Sequence, residues 1–345
     1  MGTITKELAA IFLSLKAGHM TLFSTQRTFI MPIVNNQNHS SKDRKVDVFG
    51  MTDVGCVRTS NEDCYVIQPL YQEPSELNTE QITHIELNGD LFVAVSDGMG
   101  GAAAGEVASS TALKTIAEVL LENESVLRES SIESMVQIVE DAIQKANASI
   151  FEAAQVNKAQ KGMGATMTAL YLRGQHAFCF QIGDSRAYVL RGDRFTKITR
   201  DQSFVGHLVE MGTITEEQAA RHPQRNVILQ AMGSADKLKV DVSYLSVCES
   251  DLFLLCTDGL YSELDTKELE EKVKYLAENG YNLAHKVNVL IDSAKSAGGH
   301  DNVTVVGMQF NGAYPAREPG EDPKFQPFPF TEEDNPFGKM FQIQN

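Results

Sequence analysis

Leu91-Phe92-Val93-Ala94-Val95-Ser96-Asp97-Gly98-Met99-Gly100-Gly101 is an apolar run that ends in a carboxylate and then in glycines. Six residues of strand character, Leu91 to Ser96, predict a strand buried inside a sheet. Asp97 is then delivered at the sheet rim, where Gly98 permits a sharp turn. Asp-Gly is also a common turn dipeptide, so one such stretch is weak evidence. The construction recurs. Leu252-Phe253-Leu254-Leu255-Cys256-Thr257-Asp258-Gly259 is a second apolar strand ending in Asp-Gly. Gly298-Gly299-His300-Asp301-Asn302 places a third aspartate just before a strand that starts at Val303. Three carboxylates brought together at strand ends repel one another unless a cation sits between them.

Composition narrows the setting. The 345 residues carry 42% hydrophobic residues, enough for a sizeable core in one large domain or two ordinary ones. A net charge of −16 argues against nucleic acid or an anionic membrane as the main partner, because both require clustered Lys and Arg. It suits an enzyme that gathers cations. The five cysteines (Cys56, Cys64, Cys179, Cys248 and Cys256) are odd in number, lack C-x-x-C spacing and mostly fall in apolar runs. Buried thiols in a reducing cytoplasm are expected, with neither a disulfide framework nor a zinc site.

Residues 1–45 read as an N-terminal appendage. Ile4, Leu8, Ile11, Phe12 and Leu15 share one helical face over residues 3–16, but the segment drifts into a polar stretch, Asn35 to Ser41. Neither a secretory signal nor a membrane span is recognisable in the chain. A globular domain is expected over residues 46–310. Val46 to Thr52 and Tyr65 to Gln68 read as strands. Between them lies a polar loop holding Arg58, Glu62 and Asp63, which as an isolated feature is a solvated turn. Asn88-Gly89 predicts a hairpin joining Ile82–Leu87 to the strand at Leu91.

Helical periods follow over about residues 103–121 and 131–156, the second marked by Ile132, Val136, Val139, Ile143, Ala146, Ile150 and Ala154. A meander of short antiparallel strands is expected from Gly164 to Ile198, with Asp184 at one of its turns. Residues 200–235 are polar with short helical pieces and read as an insertion above the sheet. Val240–Val247 and Leu252–Thr257 predict another hairpin, helices are expected near 267–278 and 281–297, and Val303–Phe310 closes the core. Strands, two helices, strands, two helices and a strand predict an α+β fold, an α-β-β-α sandwich of two antiparallel sheets flanked by helices on both sides. The acidic, proline- and phenylalanine-rich tail, residues 311–345, is expected to lie extended along the domain, with a partner groove as the alternative.

In such a sandwich the strand ends at one edge converge, bringing Asp97, Asp258 and Asp301 together. Oxygen ligands without nearby His or Cys select Mg²⁺ or Mn²⁺. Two such ions, about 3.5–4 Å apart, lower the pKa of a bridging water toward neutrality and clamp a phosphoryl oxygen. The chemistry expected is hydrolysis without a covalent intermediate.

Seven motifs occur in order: Gly55-x-x-Arg58-x-x-Asn61-Glu62-Asp63, Ser96-Asp97-Gly98-Met99-Gly100-Gly101, Gly162-Met163-Gly164-Ala165-Thr166, Gly183-Asp184-Ser185-Arg186, His222-Pro223-x-Arg225-Asn226, Thr257-Asp258-Gly259-Leu260 and Asp301-Asn302-Val303-Thr304. Together they resemble the metal-dependent protein phosphatases of type 2C, also called PPM, and more closely their bacterial branch. The likeness runs from about Val46 to Phe310. It implies the sandwich fold and hydrolysis of phosphoserine and phosphothreonine in proteins, opposing a Ser/Thr kinase, by a cytoplasmic, monomeric enzyme.

By that resemblance Asp97 bridges two metals, Asp258 and Asp301 complete one site, and the Gly98 carbonyl serves the other. Glu62 and Asp63 hold metal-bound waters, and Asp184 resembles the ligand of a third, weaker ion. Arg58 clamps the substrate phosphate, a task for a forked, permanently charged donor. Residues 200–235 correspond to the family's flap beside the cleft, associated with substrate choice. One departure stands out: where some members have a histidine proposed as general acid, this chain has Met99, which has no proton to donate. His300 reads as an exposed turn residue. A catalytically inactive binding module and a small-molecule phosphoesterase are the alternative functions.

Overall fold

The computed structural model describes residues 44–70, 83–86, 89–157, 160–317, 323 and 325–328. The helix expected over 3–16 and most of the proline- and phenylalanine-rich tail lie outside them. In chain order the elements are β1 (Arg44–Asp53), β2 (Cys64–Leu70), β3 (Thr83–Glu86), β4 (Asp90–Ser96), β5 (Gly98–Met99), α1 (Ala102–Glu122), α2 (Glu124–Glu129) and α3 (Ile132–Val156). Next come β6 (Gly164–Ala165), β7 (Met167–Arg173), β8 (His176–Ile182), β9 (Arg186–Arg191), β10 (Arg194–Lys197), α4 (Phe204–Glu210) and α5 (Glu216–Ala220). The chain continues through β11 (Asp241–Ser246), β12 (Leu252–Cys256), α6 (Asp258–Tyr261), α7 (Thr266–Glu278), α8 (Leu283–Ala297), β13 (Val303–Gly312) and β14 (Gln326–Pro327).

Two six-stranded antiparallel sheets result, ordered β10-β9-β12-β13-β1-β3 and β14-β11-β8-β7-β4-β2. Three apolar layers hold them. Between the sheets lie Leu91, Val93 and Val95 of β4 with Phe253 and Leu255 of β12 and Val306, Met308 and Phe310 of β13. On the outer face of the second sheet, Phe92 and Ala94 of β4 pack with Ile116 and Leu120 of α1 and Val139, Ile143 and Ile150 of α3. On the outer face of the first, Leu252, Leu254 and Cys256 of β12 meet Val273 of α7 and Val287 and Ile291 of α8. This is the α-β-β-α sandwich. β4 and β12 read as unbroken apolar runs because each is buried on both faces, one set of alternate residues toward each neighbouring layer.

Turn chemistry misled in three places. β3 and β4 do not form a hairpin: β3 pairs with β1 in one sheet, whereas β4 pairs with β2 and β7 in the other. β11 and β12 likewise separate, β11 joining β8 and β12 joining β9 and β13. The expected meander is two hairpins, β7–β8 and β9–β10, in different sheets, with Gly183-Asp184-Ser185 carrying the chain across. A local turn signal marks where the chain reverses. It does not reveal which sheet receives the next strand, because the central strands gain by finding two partners each.

The tail lies along the domain as far as it is described. β14 pairs with β11, placing Tyr244 opposite Gln326, and the Tyr244 hydroxyl donates to Gln326 Oε1 at 2.6 Å. Phe325 packs into the layer between the sheets and Phe328 against the α1/α3 layer. Among the described residues no helix is long and apolar enough to cross a membrane. The expectation of buried cysteines holds for Cys179, Cys248 and Cys256; Cys64 is half-buried, and Cys56 is exposed in the polar loop after β1.

Candidate active site

β4 ends with its last residue tied down. Ser96 Oγ donates to the Thr166 carbonyl at 2.6 Å, the Asp97 N–H donates to Thr166 Oγ1 at 2.9 Å, and the Thr166 N–H returns a bond to the Asp97 carbonyl at 2.9 Å. Asp97 is thus gripped at both backbone groups by one buried threonine, which fixes the direction of its carboxyl. Gly98 is needed for a different reason from the one expected. Its φ is not in the left-handed region; instead a Cβ there would run into the Gly105 carbonyl in the first turns of α1. Gly259 matches it, with a Cβ that would strike the Asn302 carbonyl. Both Asp-Gly steps bring backbone against backbone at the cleft.

Asp258 is the first residue of α6, directly after β12, and Asp301 precedes β13. Asn302 organises the loop below them. Its Nδ2 donates to the carbonyls of Val54 and Ser60, at 3.0 and 2.9 Å, and its Oδ1 accepts the Glu62 N–H at 2.8 Å. Asp63 accepts from Thr257 Oγ1 at 2.7 Å and from Thr304 Oγ1 at 2.8 Å, so the polar loop is sewn to both acid-bearing strands. Arg58 Nη2 donates to Asp301 Oδ2 at 2.7 Å, and its Nη1 stands 3.9 Å from Glu62.

The acids therefore meet. The carboxyls of Asp97 and Asp258 are close enough to act on one another, and Asp301 is close enough to repel Asp258. Burial pushes the Asp258 carboxyl up to about 6, with repulsion from Asp301 second. Burial raises Asp97 well above the usual carboxylate range, and Asp258, Asp63, Asp184 and Asp301 add repulsion. Asp184, at the crossing between sheets, is pushed up to about 7 by burial, then by Asp258 and Asp201. Burial also raises Asp63 and Glu62. Asp97, Asp258 and Asp301 are half-buried and so open to solvent on one side.

Such a concentration of like charge is costly unless protons or cations neutralise it. The donors are oxygens only, the set that suits hard divalent ions. Among the described residues no three His, Cys, Asp or Glu side chains already stand in ligating geometry, and Arg58 occupies Asp301.

Every site residue named from sequence, Arg58, Glu62, Asp63, Asp97, Gly98, Asp184, Asp258 and Asp301, falls in this one region. Sequence reasoning missed the supports: Thr166, Thr257, Asn302 and Thr304 all lie within the quoted motifs, where their recurrence beside acids was the available signal. Met99 is half-buried in the two-stranded β5–β6 ribbon opposite Gly164. His300 is exposed, as expected, with Nδ1 2.8 Å from Glu263 Oε1.

A double-sheet sandwich with a carboxylate cluster and an arginine at the ends of its central strands defines a hydrolase of the divalent-metal class. The chain belongs to the protein phosphatase 2C family, whose match spans residues 78–288. It is 35% identical over 236 residues to the serine/threonine phosphatase stp of Listeria innocua, covering 66% of this chain and 91% of that one. Among solved structures it resembles the Streptococcus agalactiae serine/threonine phosphatase, with TM-score 0.64, 27% identity, and coverage of 76% of this chain and 98% of that one. It also resembles the catalytic domain of the serine/threonine protein phosphatase PstP in complex with two manganese ions, with TM-score 0.62, 28% identity, and coverage of 78% and 99%.

Proposed function

We propose that this cleft hydrolyses phosphoserine and phosphothreonine in proteins, with Asp97, the Gly98 carbonyl, Asp258 and Asp301 holding two Mn²⁺ or Mg²⁺ ions. Glu62 and Asp63 hold their water shell, and Asp184 serves a third, weaker ion. The chain is a protein serine/threonine phosphatase, as its family membership and its curated relatives support. The observation that carries the metal assignment is the gathering of the Asp97, Asp258, Asp301, Asp63 and Asp184 carboxyls near enough to repel one another.

Bound divalent ions supply a water nucleophile active near neutral pH and neutralise charge on the phosphoryl oxygens. The protein's own groups do the rest. Arg58, half-exposed at the cleft, presents a forked cation that binds and orients the phosphoryl group once it lets go of Asp301. Asn302, Thr257 and Thr304 keep the Glu62–Asp63 loop in place, and Thr166 keeps Asp97 aimed. Met99 cannot supply a proton to the leaving hydroxyl, and that role stays unassigned. The substrates are then products of a serine/threonine kinase, and we place the enzyme in the cytoplasm as a monomer.

Phosphate release from a phosphoserine peptide and from p-nitrophenyl phosphate, with and without Mn²⁺, tests the reading. Activity that requires the metal and falls at least ~100-fold in Asp97→Asn is expected. Metal-independent turnover, or wild-type rates in Asp97→Asn, would overturn it.

A further inference from the structure

Asp301 is delivered by a turn that begins with two glycines, the residue type that loses most conformational freedom on folding. Gly299 has a positive φ of 58° and is fixed through its backbone. Its N–H donates to the Ala294 carbonyl in the last turn of α8 at 3.1 Å, and its carbonyl accepts the Cys56 N–H at 2.7 Å. His300 is fixed by a side chain instead. Its N–H donates to Glu263 Oε1 at 3.0 Å, and its Nδ1 lies 2.8 Å from the same oxygen. Gly298 makes room for this pair, because a Cβ there would run into the His300 ring and Glu263 Oε2.

Glu263 belongs to the same run of chain as Asp258. Past α6 the Ser262 N–H donates to the Asp258 carbonyl at 2.8 Å and the Leu264 N–H to the Leu260 carbonyl at 3.0 Å, so the turn that starts at Asp258 runs on to a buried anchor at Leu264. Glu263 therefore stands in fixed relation to Asp258. Its side chain is 9% exposed, although that of its partner His300 is 75% exposed. A carboxylate so far withdrawn from water is costly unless donors meet it, and the two nitrogens that meet this one both belong to the residue before Asp301. The link opposes a push in the other direction, since Asp301 and Asp258 repel each other across the cleft.

We propose that Glu263 is a positioning residue for the metal centre: by holding the His300 backbone it sets the separation of Asp301 from Asp258 before any ion arrives. The proposal rests on the divalent-metal reading above and adds to it a residue that acts through the turn. Without Glu263 the glycine turn is free to follow the repulsion and carry Asp301 away from Asp258. An arriving ion must then draw it back, which weakens binding. Charge alone would act differently, because a glutamate near the cleft favours cations whether or not it bonds to His300. Glu263→Gln removes the charge but keeps an oxygen that accepts the His300 N–H, whereas Glu263→Asp keeps the charge and withdraws the oxygen by one methylene.

Titration calorimetry with Mn²⁺ on the metal-free full chain compares wild type, Glu263→Ala, Glu263→Gln and Glu263→Asp, alongside turnover of p-nitrophenyl phosphate at rising Mn²⁺. Glu263→Ala and Glu263→Asp are expected to raise Kd for Mn²⁺ about tenfold or more, and Glu263→Gln to stay within about threefold of wild type. At saturating Mn²⁺ the kcat and KM for the ester should return to wild-type values in all three, which confines the loss to metal binding. Wild-type Mn²⁺ affinity in Glu263→Asp overturns the proposal, and so does a loss in Glu263→Gln as large as that in Glu263→Asp, which would make the effect one of charge. That pair decides the question even where Glu263→Ala does not fold. Wild-type protein that binds no Mn²⁺ would instead overturn the metal reading itself.

Discussion

Asp97, just past β4 of one sheet, and Asp258, just past β12 of the other, lie close enough for each carboxyl to act on the other. Two carboxylates packed this way repel unless a proton or a divalent cation lies between them. The two sheets are packed so that their acid-bearing strand ends meet, and the crowding of like charge there follows from that packing.

A pH dependence follows with a definite sign. Asp258, pushed up to about 6, and Asp184, pushed up to about 7, hold protons in the folded metal-free protein that the unfolded chain releases at lower pH. Their contribution to stability is fully present below the ordinary carboxylate pKa and is lost as pH rises through about 6 to 7. Metal-free protein should melt at progressively lower temperature between pH 5 and pH 8, while Mn²⁺ affinity rises over the same interval. Saturating Mn²⁺ should abolish that decline. Melting curves with chelator and with metal, at matched ionic strength, provide the check.

Arg58 is bonded to Asp301 yet is assigned to the substrate phosphate. Arg58→Ala should raise KM for a phosphopeptide by about tenfold or more, the worth of a charge-assisted hydrogen bond. Its Mn²⁺ affinity, read by calorimetry, should be no weaker than wild type because a competitor for Asp301 has gone. An unchanged KM would remove Arg58 from the phosphate site.

Gly98→Ala forces a methyl group into the Gly105 carbonyl, and neither backbone can retreat without moving the acid-bearing strand end or α1. A loss of about 1–3 kcal/mol in unfolding free energy is expected, together with weaker metal binding. Denaturant titration measures the first and calorimetry the second.

Ending the chain after Arg317 removes β14, Phe325 and Phe328 and leaves the β11 edge unpaired. Loss of these half-buried rings should destabilise the domain by about 2 kcal/mol and leave kcat unaltered at temperatures where the domain stays folded. Chemical denaturation alongside steady-state kinetics would separate the two effects.

Sequence alone determined the elements that carry their own pattern. The long period of α3, the doubly buried runs of β4 and β12 and the recurrence of aspartate at strand ends are all local properties, and they sufficed for the layered fold and the acid set. Partner choice was decided only in three dimensions. The Asn88-Gly89 step looked like a hairpin but links strands of different sheets, because strand pairing depends on which edge is free. The supporting hydrogen bonds of Thr166, Thr257, Asn302 and Thr304 were equally hidden, since a threonine's partner across the fold leaves no periodic trace. Gly98 shows the division most clearly: the sequence marks the glycine, but the Gly105 carbonyl that excludes any side chain arrives there only when α1 packs against the second sheet.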